Sequence, residues 1–98
     1  MITRVVKMKF RAEGVQPFLN NFDKVKTKIR TFDGCEHLQL WRDINDQNTF
    51  FTFSKWQSQD HLNNYRNSDL FKVVWKFTKA LFDDKPAAWS VDQVEVLE

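Results

Sequence analysis

The chain reads as an α+β fold on three features. Four segments alternate in the manner of strands, helical spacing fills the stretches between the first and second and between the third and fourth, and turn formers or capping residues stand at the junctions. Ile2 to Phe10 alternates with Val6, Met8 and Phe10 on one side and Val5, Lys7 and Lys9 on the other, a first strand with one clearly apolar face. From Val15 the apolar spacing changes to Val15, Phe18, Leu19, Phe22, Val25 and Ile29, a helical stripe, with Pro17 near the first turn and Gly34 just beyond the end. Cys35 to Arg42 alternates again, and the run from Asp43 to Asn48 turns the chain into a hairpin with a strand starting at Thr49.

That third strand is the most informative part of the chain. Its period puts Phe50, Thr52, Ser54 and Trp56 on one face and Thr49, Phe51, Phe53 and Lys55 on the other, so neither face suits open water. Ser58 is placed to cap a short helix through Tyr65, and Ser68 to cap a second whose stripe is Leu70, Phe71, Val74, Trp75, Thr78 and Leu81. Asp83-Asp84-Lys85-Pro86 stops it, and Trp89 to Leu97 supplies a last strand whose inward face the pattern leaves open.

The order is strand, helix, strand, strand, broken helix, strand. Right-handed crossovers fold such a chain into one antiparallel sheet with both helices on the same face, the ferredoxin-like βαββαβ arrangement. The whole of residues 1–98 is expected to form one domain, since no linker or low-complexity tract interrupts it. The face away from the helices would carry Val5, Phe51 and Phe53, and two such faces packed together would bury each other, so a homodimer is expected.

Composition removes several function classes. Ten Phe, four Trp and one Tyr beside a charged fraction of 29% describe a compact globular protein. There is no membrane-span-length apolar run and no signal-like leader, and the lone Cys35 cannot pair within the chain, so a cytoplasmic location is the expectation. Only Gly14 and Gly34 exist, which leaves no glycine-rich phosphate loop, and His37 and His61 lack ligand spacing to each other or to Cys35, which leaves no dedicated metal site. A net charge of +2 does not by itself call for nucleic acid. An RNA-binding sheet would share this element order, but Asn48 to Lys55 lacks the glycines of that motif and Val5 or Lys7 stands where an aromatic is needed.

What remains is an aromatic-lined pocket between sheet and helices. Trp56 and Trp75 are candidates for its walls, and Tyr65, Arg66, Thr52, Ser54 and His37 for its polar contacts. Each has a plainer reading: the tryptophans as core, Tyr65 as core with its hydroxyl at the rim, His61 as an exposed residue, Cys35 as a small buried hydrophobe, and the lysines of the first helix as a solvated face.

Gly34-Cys35 leading into a strand that ends Leu40-Trp41-Arg42-Asp43, Trp56-Gln57-Ser58 closing the next strand, and Tyr65-Arg66-Asn67-Ser68-Asp69-Leu70-Phe71 together resemble the antibiotic biosynthesis monooxygenase (ABM) family. The resemblance covers most of the chain and implies a dimeric α/β barrel in which Trp56 is the pocket tryptophan. Relatives include quinol oxygenases, heme-degrading enzymes and proteins without established activity. In the heme-degrading branch an Asn, Trp and His set falls at about the positions of Val6, Trp56 and Trp75 here; with no histidine for an axial iron ligand, heme degradation is not expected.

The chemistry implied by the resemblance is oxidation of a small quinol or phenol by oxygen, with no flavin or metal cofactor. Trp56 and Trp75 then serve as walls, the Trp56 N–H, Tyr65 or Arg66 stabilise the substrate anion, and His37 is a possible base by residue type. The alternative is a non-catalytic dimeric module that binds a small aromatic in the same pocket.

Overall fold

In the computed structural model, which describes residues 1–98, the chain runs β1 (Ile2–Lys9), α1 (Val15–Arg30), β2 (Cys35–Arg42), β3 (Thr49–Trp56), α2 (Gln59–Arg66), α3 (Asp69–Lys79) and β4 (Ala87–Val91), with a single 3-10 turn at Ala12–Gly14 leading into α1. The strands form one antiparallel sheet in the order β2-β3-β1-β4. Both crossovers therefore skip one strand, as the ferredoxin-like reading requires.

Local chemistry accounts for the boundaries. Ser58 Oγ accepts from the His61 N–H at 3.2 Å to start α2, and Ser68 Oγ accepts from the Phe71 N–H at 3.1 Å to start α3, so the second helix breaks in two where the capping serines predict. Arg11 reaches the far end of α3, donating to the carbonyls of Ala80 at 3.0 Å and Phe82 at 3.3 Å, where the helix leaves acceptors free. The turn between β2 and β3 is held by side chains: Asp43 accepts from the Asn45 N–H, and Asp46 from the Asn48 N–H and the Thr49 hydroxyl. Between α1 and β2, Gly34 takes φ of 88°, and a Cβ there would run into the His61 side chain, so glycine lets α2 lie against this turn.

Two clusters fill the space between sheet and helices. Met8, Phe10, Phe18 and Phe50 form the larger, with Phe10 and Phe18 stacked at 4.3 Å and Trp75, Leu81 and Phe82 packed around them. Cys35, Trp56 and Leu62 form the smaller, joined by Ile2, Phe32 and Tyr65.

Two expectations change. The last strand is Ala87–Val91, not Trp89 to Leu97. Val91 stands opposite Thr3, next to the first residue of β1, so Val94 and Val96 have no neighbouring strand to bond and lie exposed. The pairing also settles its faces: Ala88 and Ser90 oppose Val6 and Arg4 on the helix side, while Trp89 opposes Val5 on the open side. The second change is in β2. Cys35 pairs with Trp56 but His37 with Lys55, so one residue bulges at Glu36 and the alternation shifts there. Cys35 thus joins the buried cluster under the helices, whereas His37, Gln39 and Trp41 line up on the open face opposite Lys55, Phe53 and Phe51.

Candidate functional site

A cavity of about 260 Å³ lies between the sheet and the helices, drawing Met8 and Phe18 from the larger cluster and Trp56, Leu62 and Tyr65 from the smaller. Its floor is the helix-side face of the sheet, which the period of two supplies as Arg4 and Val6 from β1, Leu38 from β2, Thr52 and Ser54 from β3 and Ala88 from β4. Its roof is Tyr65 and Arg66 from α2 and Phe71, Val74 and Trp75 from α3. The volume lies just under the ~300–1,000 Å³ usual for small-molecule sites, which suits a compact ring system.

The aromatic wall is ordered by stacking. Trp56, 1% exposed, lies nearly parallel to Tyr65 with ring centres 4.9 Å apart and an interplanar angle of 24°. Phe71 meets Tyr65 edge-on at 5.2 Å and stacks on Trp75 at 5.8 Å, so the wall runs unbroken from β3 across α2 to α3.

The polar groups are few. Trp56 was expected to aim its N–H at a bound anion; instead Nε1 donates to Ser54 Oγ at 3.0 Å within the buried floor. The hydroxyl hydrogen of Ser54 stays free to donate, so any donation toward the cavity passes through Ser54 with the indole dipole behind it. Tyr65 makes no hydrogen bond through its hydroxyl within the chain, and no buried side-chain oxygen is left unpaired, so this phenol meets the cavity or solvent. Burial first, and the nearby Cys35 second, hold its pKa far above the ordinary tyrosine range, which makes it a neutral donor and a poor base. Thr52 adds a second hydroxyl to the floor.

Six of the seven residues singled out from sequence, Trp56, Tyr65, Trp75, Arg66, Thr52 and Ser54, line this one cavity. His37 does not. The bulge at Glu36 turns it to the open face, where its ring meets Phe53 edge-on at 5.8 Å, and no proton transfer from a ligand in the cavity can reach it. His61 is also outside the lining, its Nδ1 2.7 Å from Ser58 Oγ. Cys35 is buried, and desolvation raises its pKa above that of a free thiol, consistent with a packing role.

Sequence reasoning passed over Arg4. It shares the helix-side parity of Val6 and Met8, so a charged residue at that position on an otherwise apolar face was the available signal. Its guanidinium donates to Ser90 Oγ at 3.0 Å across the β1–β4 pair and lines the cavity together with Arg66. Burial and then the charge of Arg66 lower its pKa from the usual arginine value. None of the residues lining the cavity is a carboxylate or an imidazole.

Comparison with known proteins agrees with this fold. A crystal structure of an antibiotic biosynthesis monooxygenase superposes with a TM-score of 0.90 at 17% identity, covering 97% of this chain and 100% of that one. A conserved protein from Methanosarcina mazei Go1 gives 0.86 at 20% identity over 93% and 91% of the two chains, and a Mycobacterium tuberculosis protein 0.88 at 15% over 99% and 98%. At these identities the likeness is one of fold. No curated protein matches the sequence. The profile of the antibiotic biosynthesis monooxygenase family matches residues 1–76, from the first strand into the last helix and across nearly all of the cavity's walls. On that match, the chain belongs to the antibiotic biosynthesis monooxygenase family.

Proposed function

We propose that this protein is a homodimeric monooxygenase that oxidises a small reduced aromatic, a phenol or quinol, with dioxygen and no bound cofactor, in the cavity between sheet and helices. The carrying observation is the stacked wall of Trp56, Tyr65, Phe71 and Trp75 facing the hydroxyls of Ser54 and Thr52 across a cavity of ring-system size.

The proposed reaction begins with the flat substrate lying along that wall. A naphthol releases its phenolic proton to water, because the lining has no side chain able to take it. Arg66 and the hydroxyls of Tyr65 and Ser54 favour the anion thus formed, in a site that excludes most solvent. The naphtholate passes one electron to dioxygen; the resulting radical and superoxide join at the carbon para to the oxygen. Loss of water from the hydroperoxide, with the proton from that carbon, leaves the quinone. One naphthol and one dioxygen give one quinone and one water.

The dimer is drawn from the open sheet face, where Trp41 is 42% and Trp89 47% exposed beside half-buried Phe51 and Phe53. Two such faces in contact would cover them. The chain has no helix long and apolar enough to cross a membrane. A buried, unpaired Cys35 suits a reducing compartment, so the cytoplasm is the proposed location.

The lack of any base in the lining favours a second reading, a non-catalytic module that binds the same aromatic. Oxygen uptake by metal-stripped protein over a panel of naphthols and hydroquinones, corrected for spontaneous oxidation, separates the two. Saturable uptake above the protein-free rate supports the enzyme. Saturable binding with no added uptake replaces it with the binding module.

A further inference from the structure

Two guanidinium groups, Arg4 from β1 and Arg66 from α2, line one cavity whose lining holds no acidic side chain. Neither is paired elsewhere: the chain's four ion pairs are Lys9–Asp46, Arg11–Glu13, Lys26–Asp23 and His61–Asp33. Arg4 has one hydrogen bond within the chain, to the neutral Ser90, and Arg66 makes none through its side chain. Like charges facing the same apolar space repel one another, and the partly buried Arg4 also loses hydration, so the arrangement is unfavourable until an anion joins them.

We propose that the natural ligand is an aromatic carboxylate, its ring against the Trp56–Tyr65 wall and its carboxylate held between Arg4 and Arg66 at the cavity mouth. The inference rests on the reading of the cavity as the site of a flat aromatic and adds the charge that the ligand must carry. Arg66 is exposed and Arg4 partly so, which puts the pair at the solvent edge, and the apolar lining lies deeper. A single phenolate oxygen, served by the Ser54 and Tyr65 hydroxyls and Arg66, does not match two planar forks. The two oxygens of a carboxylate do, and each fork can donate to them in parallel.

The test uses 2-naphthoate and its neutral isostere 2-naphthamide, with binding read from quenching of tryptophan fluorescence and checked by calorimetry. The acid should bind about tenfold more tightly than the amide, the scale of a charge-assisted bidentate contact at a partly exposed site. Arg4→Gln and Arg66→Gln should each lower acid affinity more than amide affinity and so narrow the gap between the two, with circular dichroism and the thermal unfolding midpoint reporting an intact fold. Lys24→Gln, on the exposed face of α1, should leave both affinities unchanged. If Arg4→Gln does not fold, Arg66→Gln decides the matter alone, since that side chain is at the surface. Equal binding of acid and amide would overturn the carboxylate and leave the aromatic site standing, as would an acid preference that survives both substitutions. Binding of neither ligand would overturn both.

Discussion

Replacing Ser54 with alanine should leave the indole N–H of Trp56 buried without an acceptor. The ring is 1% exposed and Ser54 Oγ, 3.0 Å away, is its one acceptor within the chain, so the variant offers the N–H no protein partner. An orphaned donor in such a place costs about 1–3 kcal/mol. Trp56→Phe has a different cost: it removes the donor together with part of a ring stacked on Tyr65, and the void should take roughly 1–2 kcal/mol. In the double variant no donor is left to orphan and only the void remains. The two single losses should therefore exceed the double loss by the orphaned-donor cost of about 1–3 kcal/mol, well beyond the ~0.5 kcal/mol scatter of independent sites. Urea unfolding of the four proteins at one fixed chain concentration measures this directly, because the proposed dimerisation would make apparent stability depend on concentration. Losses that add to within about 0.5 kcal/mol would refute the buried Trp56–Ser54 hydrogen bond as described.

Two further outcomes follow. Tyr65 is the chain's only tyrosine, and its neutral form is favoured in the folded state, so the stability it lends is present at neutral pH and lost as pH climbs above the unfolded value of about 10. Tyrosinate absorbance should therefore appear only as the chain unfolds, and Tyr65→Phe should flatten the alkaline fall in stability; a reversible tyrosinate titration near pH ~10 with the fold intact would contradict its burial. On the open sheet face, Phe53 stacks on Trp41 at 4.8 Å, and Phe53→Asp should weaken the dimer at least about a hundredfold by burying a carboxylate among aromatics. Sedimentation should show twice the chain mass for the native protein at micromolar concentration and the single mass for the variant, and a native monomer would remove the dimer.

What could be read from sequence was whatever depends on neighbours along the chain. The alternation of β3 sorts Phe50, Thr52, Ser54 and Trp56 to one face without knowledge of any partner strand, and Ser58 and Ser68 cap helices through bonds that span three residues. That local information brought six candidate residues into one cavity. The misreadings came from pairing. A bulge is a relation between two strands, so nothing in the Cys35 to Arg42 run announces that Glu36 is the extra residue, and His37, a candidate base by residue type alone, proves to stand on the open face. The end of β4 is set by where β1 begins in antiparallel register, and the alternation of Val94 and Val96 continues past it. The Trp56–Ser54 hydrogen bond joins two residues already assigned to one face, yet the side-chain rotation that closes it lies below what periodicity can resolve. Arg4 was legible by parity and was masked by the apolar residues around it.

The most direct test of the account is turnover of 1-naphthol by the metal-stripped protein under isotopically labelled dioxygen. Saturable formation of naphthoquinone above the protein-free rate is expected, with one labelled oxygen at the carbon para to the original hydroxyl and the other in water. Quinone formed without label at that carbon, or no turnover from a cavity that binds the naphthol, would contradict it.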